Sequence, residues 1–207
     1  KHDLCLGLTE EIPYLKNQER LTFARCGIID PLSLSDYISH DGYKGLQNAV
    51  KMTPEQIIEQ VTNSGLRGRG GAGFPTGIKW NTVAKAKGDQ KYIVCNADEG
   101  DSGTFADRMI MEGDPFVLIE GMTIAGFAVG ATQGYIYCRS EYPHAVKTLR
   151  RAIAAAVLGV TLGGGFVTTI GEDGLQEIVS RSRAMFTTIM TPILGPRTPE
   201  YTVQNVY

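Results

Sequence analysis

The chain has 207 residues, a formal net charge of −2 and 25 glycines. This length is enough for one ordinary domain with extensions, and the slightly negative charge argues against a nucleic-acid-binding protein, which would carry a basic surface. Glycine makes up about 12% of the chain against a usual value of about 7%, and the glycines cluster in loops without a repeat. The four cysteines include no C-x-x-C pair, so we expect no iron–sulfur or zinc site in this sequence.

The sequence does not predict a membrane protein or a secreted protein. The most apolar stretch, residues 115–131, is shorter than the ~20 residues that span a bilayer, and Glu120 interrupts it. The first residues lack the long apolar core of a signal peptide. Cys95 and Cys138 stand in apolar segments, as buried, reduced thiols do in the cytoplasm. We therefore expect a cytoplasmic protein without a membrane span.

The first strong helix signal lies at residues 53–63. Thr53 is predicted to be the N-cap, Pro54 occupies the first helical position, and Gln56 completes a capping box with Thr53. Apolar residues then recur at helical spacing until an Asn-Ser-Gly sequence at 63–65 ends the run. The segment before the glycine-rich loop is therefore predicted to be a helix.

Residues 64–80 form a glycine-rich loop with the sequence SGLRGRGGAGFPTGIKW. Glycine allows close approach to the backbone and a positive φ, which we expect at Gly70. Successive N–H groups of such a loop can converge on an anion. Arg67, Arg69 and Lys79 add positive charge, so we interpret the segment as a phosphate-binding loop.

Two familiar phosphate loops do not explain this segment. Gly68, Gly70 and Gly73 have the G-x-G-x-x-G spacing, but a dinucleotide fingerprint requires a preceding strand, whereas a helix is predicted here. A Walker A loop would end in Gly-Lys-Ser/Thr, which the segment lacks. A flexible glycine loop without a ligand remains an open alternative.

A buried strand is predicted at residues 91–95 (KYIVC), a short, apolar and β-rich run. The polar segment 96–101 (NADEGD) follows it, and ligands bind at the carboxyl ends of strands in open α/β sheets. Asn96 offers both a donor and an acceptor, whereas ionised Asp98 and Glu99 offer acceptors. The alternative is an ordinary acidic surface turn, since Asp, Asn and Gly favour turns.

The remainder of the chain continues the alternation of strands and helices. A buried helix is predicted from Pro115, a second strand at 134–139 and a second helix at 143–156. This order is typical of βα units and a parallel sheet, so the fold class is predicted to be α/β. Farther on, a turn is predicted at 163–165 and a helix at 175–190, without a recognisable site.

These elements divide the chain into three predicted parts. They are an N-terminal extension (1–50), an α/β domain that carries the first half of a ligand cradle (51–156), and a tail punctuated by Gly and Pro (157–207).

Two long motifs resemble a known family. Residues 64–80 and residues 92–142 (YIVCNADEGDSGTFADRMIMEGDPFVLIEGMTIAGFAVGATQGYIYCRSEY) resemble the FMN- and NADH-binding flavoprotein (diaphorase) subunits of respiratory complex I and its soluble relatives. EGDSGTFADRM, RSEYPHA and the upstream RLTFARCGIIDPLSLSDY are most similar to the beta subunit of soluble NAD-dependent formate dehydrogenase and the diaphorase subunit of NAD-reducing hydrogenase. The resemblance covers roughly residues 15–156. It implies a Rossmann-like FMN-binding domain with a parallel sheet, flanking helices, and irregular N- and C-terminal extensions.

The resemblance also implies a cofactor site between the two loops. The FMN contacts that the motifs carry over are Gly68, Arg69, Gly70, Gly71, Lys79, Asn96, Asp98 and Glu99, and the NADH contacts are Phe74 and Asp101. The implied reaction is hydride transfer between nicotinamide C4 and flavin N5. No side chain is assigned as catalytic, because the cofactors carry the chemistry. Without the resemblance, Phe74 would be interpreted as a core residue.

This sequence lacks two parts of the family pattern. Relatives carry a second flavin-contacting segment with a GAYICGEET-type motif, and a C-x-x-C-x-x-C motif that holds a [4Fe-4S] cluster; neither occurs here. We expect an incomplete record of a longer diaphorase subunit, and the alternative is a short paralogue without the electron exit. The implied partners are a small, thioredoxin-like [2Fe-2S] subunit and a catalytic formate dehydrogenase or hydrogenase subunit.

Three functions follow as hypotheses from the sequence. The first is an NADH:acceptor oxidoreductase module, the second a non-catalytic scaffold for subunit assembly, and the third a different phosphate-ligand module. Substitution of Glu99 is expected to disturb cofactor handling only under the first. Gly70→Val is expected to abolish FMN binding, because a β-branched residue at a positive φ is strongly disfavoured.

Overall fold

The computed structural model of the chain describes residues 2–3, 5–162 and 188–190. The helices of this part are a 3₁₀-helix at Thr9–Glu11, α1 (Leu34–Ser39), α2 (Lys44–Ala49), α3 (Pro54–Asn63), α4 (Thr76–Lys85), α5 (Ala106–Gly113), α6 (Pro115–Val129) and α7 (Pro143–Leu162). The strands are β1 (Tyr92–Ala97), β2 (Gln133–Cys138) and β3 (Thr188–Met190).

The three strands form one parallel sheet in the order β1-β2-β3. β1 and β2 pair over their full lengths, with Ala97 opposite Cys138, so that their carboxyl ends lie at the same edge. Met111 of α5, Met122 of α6 and Leu149 of α7 share one core cluster with residues of both strands. The predicted α/β fold, with a parallel sheet and flanking helices, is confirmed.

Helix α6 lies at the centre of the fold and begins at Pro115, as predicted. Its residues are apolar almost all round, which is typical of a fully buried helix. Phe116 and Ile119 belong to one core cluster and Met122 to the second, so α6 links the two. Burial of side chains of this size contributes roughly 1.5–3 kcal/mol each. Among the described residues, no helix is long and apolar enough to cross a membrane.

Helices α1 and α2 pack into the same core, although they precede residue 50. Tyr37 of α1 is fully buried, with ring centroids of Tyr43 and Phe116 at 5.1 and 5.5 Å. The carboxylate of Glu120, on α6, accepts a hydrogen bond from the Tyr37 hydroxyl at 2.5 Å. It also accepts the backbone N–H groups of Tyr43 and Leu46, both at 2.8 Å. The division of the chain at residue 50 stays a prediction, and residues on both sides of it share one hydrophobic cluster.

Helix α3 forms where its local signals predict it. The Gln56 N–H donates to Thr53 Oγ1 at 3.3 Å, and the Thr53 N–H donates to Gln56 Oε1 at 2.8 Å. These two bonds close the predicted capping box.

The predicted strands and the start of α7 are also confirmed, but β1 extends through Asn96 and Ala97. The expectation that the polar loop starts at Asn96 is therefore wrong by two residues. The expectation that this strand is buried is also wrong, because Tyr92 and Val94 are 50% and 59% exposed on one face of the sheet.

Two elements differ from the sequence-based expectation. Helix α5 is missing from the prediction because its local sequence provides no cap: Phe105, at the N-cap position, makes no side-chain cap bond. Thr188–Met190 pairs with β2 as a strand, so the helix predicted at 175–190 is wrong at those three residues. The partner strand supplies the backbone hydrogen bonds there, which the local sequence cannot show. The rest of that predicted helix, and the turn predicted at 163–165, lie outside the described residues.

The cysteines of the sheet are free thiols. Cys138 on β2 is buried, as predicted, whereas Cys95 on β1 is half-buried. Burial raises the pKa of the Cys95 thiol to about 12. Burial also raises the pKa of the Cys138 thiol, so both strand cysteines stay protonated near neutral pH.

Candidate functional site

The glycine-rich loop forms a tight hairpin between α3 and α4. The Gly68 N–H donates to the Phe74 carbonyl at 2.8 Å, and the Thr76 N–H donates to the Leu66 carbonyl at 2.9 Å. Arg67 Nε donates to the Gly73 carbonyl at 2.5 Å and closes the tip from one side. The residues between these bonds, 69–72, are exposed at the tip of the hairpin.

The close approach of α3 and α4 fixes the base of this hairpin. Gly77, in the first turn of α4, is buried against Thr62 near the end of α3. A Cβ atom at Gly77 would lie only 2.7 Å from the Thr62 Cα atom. The helices can therefore reach this separation only because residue 77 has no side chain.

The left-handed backbone positions of the hairpin are Gly71 and Gly73, with φ values of 94° and 58°. Gly70 is not among the positive-φ residues. The expectation of a positive φ at Gly70, and with it the stated reason for the Gly70→Val effect, is therefore wrong. The pairing of Gly68 with Phe74 places residues 69–73 at the tip, where the left-handed positions fall at Gly71 and Gly73.

A matched pair of substitutions tests this assignment. Gly71→Ala is expected to destabilise the folded chain by about 1–2 kcal/mol, because an L-residue is strained in the left-handed region. Gly70→Ala is expected to stay within about 0.5 kcal/mol of wild type. A Cβ atom at either position meets no atom within 4 Å, so backbone conformation alone separates the two variants. Urea unfolding of both variants gives the comparison, and equal midpoints would contradict the assignment.

Phe74 and Lys79 lie beside the hairpin tip. Phe74 is 45% exposed, so the alternative interpretation of Phe74 as a core residue is wrong. The Lys79 ammonium lies 5.6 Å from the centroid of the Phe74 ring, within the range of a cation–π interaction. The Phe74 ring, the Lys79 ammonium and the Arg69 guanidinium are therefore all accessible to a ligand at the hairpin.

The second predicted loop lies at the carboxyl edge of β1. Asn96 is exposed at the end of the strand, and its Oδ1 atom accepts the Asp98 N–H at 3.2 Å. Asp98 is half-buried, whereas Asp101 is exposed. The Asp101 carbonyl accepts hydrogen bonds from Thr104, from the N–H at 3.3 Å and the hydroxyl at 2.7 Å. The loop therefore presents amide and carboxylate groups at the sheet edge where ligands bind in α/β folds.

Glu99 has a different environment from the other residues of this loop. Its φ is 49°, in the left-handed region, which is uncommon for a residue other than glycine. Its two carboxylate oxygens accept the backbone N–H groups of Asp107 and Arg108, at 2.9 and 3.0 Å. These are the second and third residues of α5, so Glu99 caps that helix from outside it. Burial and the negative charge of Glu99 raise the pKa of the Asp107 carboxyl group.

Three residues around Glu99 escaped the sequence analysis. Arg139 Nη1 donates to the Glu99 carbonyl at 2.8 Å. The guanidinium carbon atoms of Arg108 and Arg139 lie 5.3 and 5.4 Å from the centroid of the Tyr142 ring. One signal could have found Arg139: it directly follows β2, and the carboxyl ends of parallel neighbours meet at one edge.

The two predicted loops belong to one body but form separate surfaces. α4 carries the end of the hairpin and packs on α6, and α6 in turn packs on β1, which leads into the acidic loop. Within the described part of the chain, no hydrogen bond or ion pair joins the hairpin residues 66–75 to residues 96–101. The structure thus brings the members of each loop together. The packing of α4 and β1 on α6, and the bond from Lys91 Nζ to the Ala84 carbonyl at 2.7 Å, relate the loops to each other.

Comparisons with known proteins show what the chain is similar to. A protein-family model described as the Nuo51 FMN-binding domain matches residues 61–189. The chain is 53% identical over 156 residues to the NADP-reducing hydrogenase subunit HndC of Solidesulfovibrio fructosivorans, covering 73% of this chain and 32% of that protein. It is 52% identical over 139 residues to a subunit of the NADH-quinone oxidoreductase of Rhizobium meliloti (strain 1021), covering 64% of this chain and 33% of that protein.

A solved structure is similar in fold as well. The crystal structure of an NAD+-reducing NiFe-hydrogenase in the air-oxidized state matches with a TM-score of 0.55 and 25% identity, over 84% of this chain and 25% of that chain. The present chain spans about a third of the length of the two curated relatives. Both long motifs that contain the loops fall within the region matched by the family model.

Proposed function

Since the chain belongs to the Nuo51 FMN-binding domain family, we propose that it forms the FMN- and NADH-binding part of an NADH:acceptor oxidoreductase, a diaphorase. In this function it transfers hydride between NAD(H) and FMN and passes the electrons on to iron–sulfur clusters of partner subunits. The observation that carries the proposal is the combination of an exposed glycine hairpin with an acid–amide loop at the carboxyl edge of a parallel sheet.

The residues of the hairpin fit a bound phosphate. A Cβ atom at Gly70 or Gly71 would meet no atom within 4 Å, so the space over both residues is open. The backbone at Gly68 is half-buried and held by its bond to Phe74. Arg69 and Lys79 are exposed and carry the positive charge that a phosphate requires. We propose Gly68, Arg69, Gly70, Gly71 and Lys79 as the hairpin side of the FMN site.

The residues of the acidic loop fit the flavin ring and the ribityl chain of FMN. The Asn96 amide can donate to a ring carbonyl and accept from a ring N–H, and Asp98 can accept from a ribityl hydroxyl. We propose Asn96, Asp98 and Glu99 as the sheet side of the FMN site, and Phe74 and Asp101 as the residues nearest to NADH. Phe74 offers an exposed ring against which a nicotinamide nucleotide can stack.

The chain's own contribution to the reaction is to bind and orient. Bound FMN supplies a two-electron acceptor for hydride, which no protein side chain provides. Lys79 and Arg69 fix the phosphate end, and the sheet-edge residues fix the ring end. Stacking on Phe74 brings the nucleotide to the same side as the hairpin. No side chain of the chain is assigned as a general base.

The assignment of partners is also a proposal. The relative HndC is named as a subunit of a hydrogenase, which supports a multi-subunit enzyme. We propose a small, thioredoxin-like [2Fe-2S] subunit and a catalytic hydrogenase or formate dehydrogenase subunit as partners in the cytoplasm. The family's C-x-x-C-x-x-C motif for a [4Fe-4S] cluster does not occur in this sequence, so a cluster on a partner or on a longer form of the subunit would receive the electrons.

An FMN titration of the purified chain tests the proposal. Wild type is expected to quench flavin fluorescence on binding, and the bound flavin to bleach on addition of NADH under anaerobic conditions. Lys79→Gln is expected to weaken FMN binding about tenfold or more, because a hydrogen bond to a charged group contributes roughly 1.5–3 kcal/mol. Lys87→Gln, an exposed lysine outside the hairpin, is the matched control and is expected to bind as wild type does.

The titration also separates the alternatives. FMN that binds but does not bleach with NADH would contradict the nicotinamide part of the proposal. A colourless protein that takes up no FMN would favour the scaffold hypothesis. Titration with NADPH in parallel shows which nicotinamide nucleotide the chain prefers.

A further inference from the structure

We propose that Glu99 is a positioning residue, which acts with Arg139 and Tyr142 to fix the acidic loop rather than through a direct bond from its carboxylate to the flavin. These residues and Arg108 are called the Glu99 clamp below. The inference rests on the proposed FMN site. It specifies how Glu99 acts in that site and assigns a role to Arg108, Arg139 and Tyr142, which the site does not include.

The carboxylate of Glu99 is already engaged. Both of its oxygens accept backbone N–H groups at the start of α5, one from Asp107 at 2.9 Å and one from Arg108 at 3.0 Å. The unpaired N–H groups at the start of a helix carry partial positive charge, which favours a carboxylate at this place. The helix has no cap from its own N-cap residue, Phe105. Glu99 therefore supplies the bonds that the sequence of α5 lacks.

The backbone of Glu99 is held from the opposite side. Arg139, directly after β2, donates from Nη1 to the Glu99 carbonyl at 2.8 Å. A non-glycine residue stays at a φ of 49° only where its surroundings hold it there. The carboxylate bonds to α5 and the carbonyl bond to Arg139 provide this restraint from two different elements.

Tyr142 joins the two arginines of the clamp. Its ring contacts both guanidinium groups, with the guanidinium carbons of Arg108 and Arg139 at 5.3 and 5.4 Å from the ring centroid. Each arginine is also held by its own carboxylate, Arg108 by Glu112 at 3.1 Å and Arg139 by Glu141 at 3.3 Å. The guanidinium planes are thereby oriented while the aromatic ring keeps the ends of α5 and β2 together.

The clamp has a consequence for the neighbouring loop residues. Asn96 and Asp98 stand immediately before Glu99, and Asn96 Oδ1 already accepts the Asp98 N–H. With Glu99 fixed, these two side chains are presented at the sheet edge before a ligand arrives. Less conformational freedom is then lost on binding, which increases affinity.

Variants of the clamp test the proposal in the full chain. Arg139→Gln removes the donor to the Glu99 carbonyl, and Tyr142→Leu removes the aromatic ring that contacts both clamp arginines. Tyr142→Phe keeps the ring and serves as the conservative variant. Arg150→Gln, an exposed arginine on α7, is the matched control. Two quantities are measured for each variant: the FMN dissociation constant by fluorescence quenching, and amide hydrogen exchange at Asp107 and Arg108 by NMR without FMN.

Arg139→Gln and Tyr142→Leu are each expected to accelerate exchange at both amides by about tenfold. They are also expected to raise the FMN dissociation constant by about tenfold, a change of the size that the loss of a helix cap causes. Arg150→Gln is expected to match wild type in both measurements. Tyr142→Phe keeps the ring but loses the interaction of the hydroxyl with Glu99, so it is expected to lie between wild type and Tyr142→Leu. Glu99→Ala removes both acceptors of the α5 N–H groups, so it is expected to accelerate exchange at the same two amides as well as to weaken FMN binding.

Each result decides a different statement. If wild type binds FMN but Arg139→Gln and Tyr142→Leu bind it equally well, the positioning role is overturned while the proposed function stands. Weaker FMN binding by Glu99→Ala with unchanged exchange also overturns it. If wild type binds no FMN, the proposed function falls, and with it the role of the clamp at a flavin site.

Discussion

Replacement of Glu120 by alanine is expected to lower the free energy of unfolding by about 3–5 kcal/mol, because it leaves three donors in the core without their acceptor. Glu120 is 7% exposed. Its carboxylate is the acceptor for the Tyr37 hydroxyl and for the backbone N–H groups of Tyr43 and Leu46. Truncation removes the acceptor of three donors in the core, each worth roughly 1–3 kcal/mol when left without a bond.

The Tyr37 hydroxyl explains part of this sensitivity. Burial and the neighbouring Glu120 carboxylate raise the pKa of Tyr37 far above its ordinary value, so the hydroxyl stays protonated and donates. Tyr37→Phe removes only this donor and is expected to destabilise the protein less than Glu120→Ala, by about 1–3 kcal/mol, because the hydrogen bond is made to a charged group.

Urea unfolding followed by circular dichroism measures both effects. Glu59→Ala is the matched control, since Glu59 is exposed on α3, and it is expected to stay within about 0.5 kcal/mol of wild type. An unfolding midpoint of Glu120→Ala equal to that of Glu59→Ala would show that α1 and α2 are not tied to α6 by this carboxylate.

Gly77→Ala is expected to destabilise the protein by about 1–3 kcal/mol, the usual cost of overpacking, and to weaken FMN binding. An added Cβ atom would overlap Thr62 Oγ1 and would lie 2.7 Å from Thr62 Cα. The hydroxyl can rotate away, but the Cα atom cannot, so α3 and α4 must separate. The hairpin spans these two helices, and its tip would move with them.

Gly121→Ala provides the matched control for Gly77→Ala. Gly121 is exposed within α6, and a Cβ atom there meets nothing within 4 Å. Alanine is favoured over glycine inside a helix by roughly 0.5–1 kcal/mol, so this variant is expected to be more stable than wild type. The two substitutions are chemically identical and have opposite predicted signs. Equal shifts of the urea midpoint in the same direction would refute the close-packing argument.

Local signals allowed much of the fold to be predicted. The capping box of Thr53 and Gln56 joins residues three positions apart, so the sequence shows it directly. The apolar run from Pro115 predicts a buried helix because composition alone makes it apolar on every side. The alternation of strands and helices from residue 91 predicts the parallel sheet. The residues of the two long motifs indicate the family, which the comparisons confirm.

Other features depend on residues that are distant in sequence. Glu120 stands out in the sequence only as an interruption of an apolar run, and its partner Tyr37 is 83 positions away. Arg139 binds the carbonyl of a residue 40 positions before it. Helix α5 is capped by Glu99, and β3 is defined by pairing with β2. No local pattern contains these contacts.

The sequence by itself therefore determined the fold class, the α3 and α6 helices, the two loops and the family, because each depends on composition or on spacings of a few residues. Only the tertiary structure decided that Gly71 rather than Gly70 takes the left-handed backbone, since the pairing across the hairpin sets its turn. It also decided that the Glu99 carboxylate binds α5. A side chain's partners depend on which distant elements the packed core places beside it, and that arrangement exists only once the chain is folded.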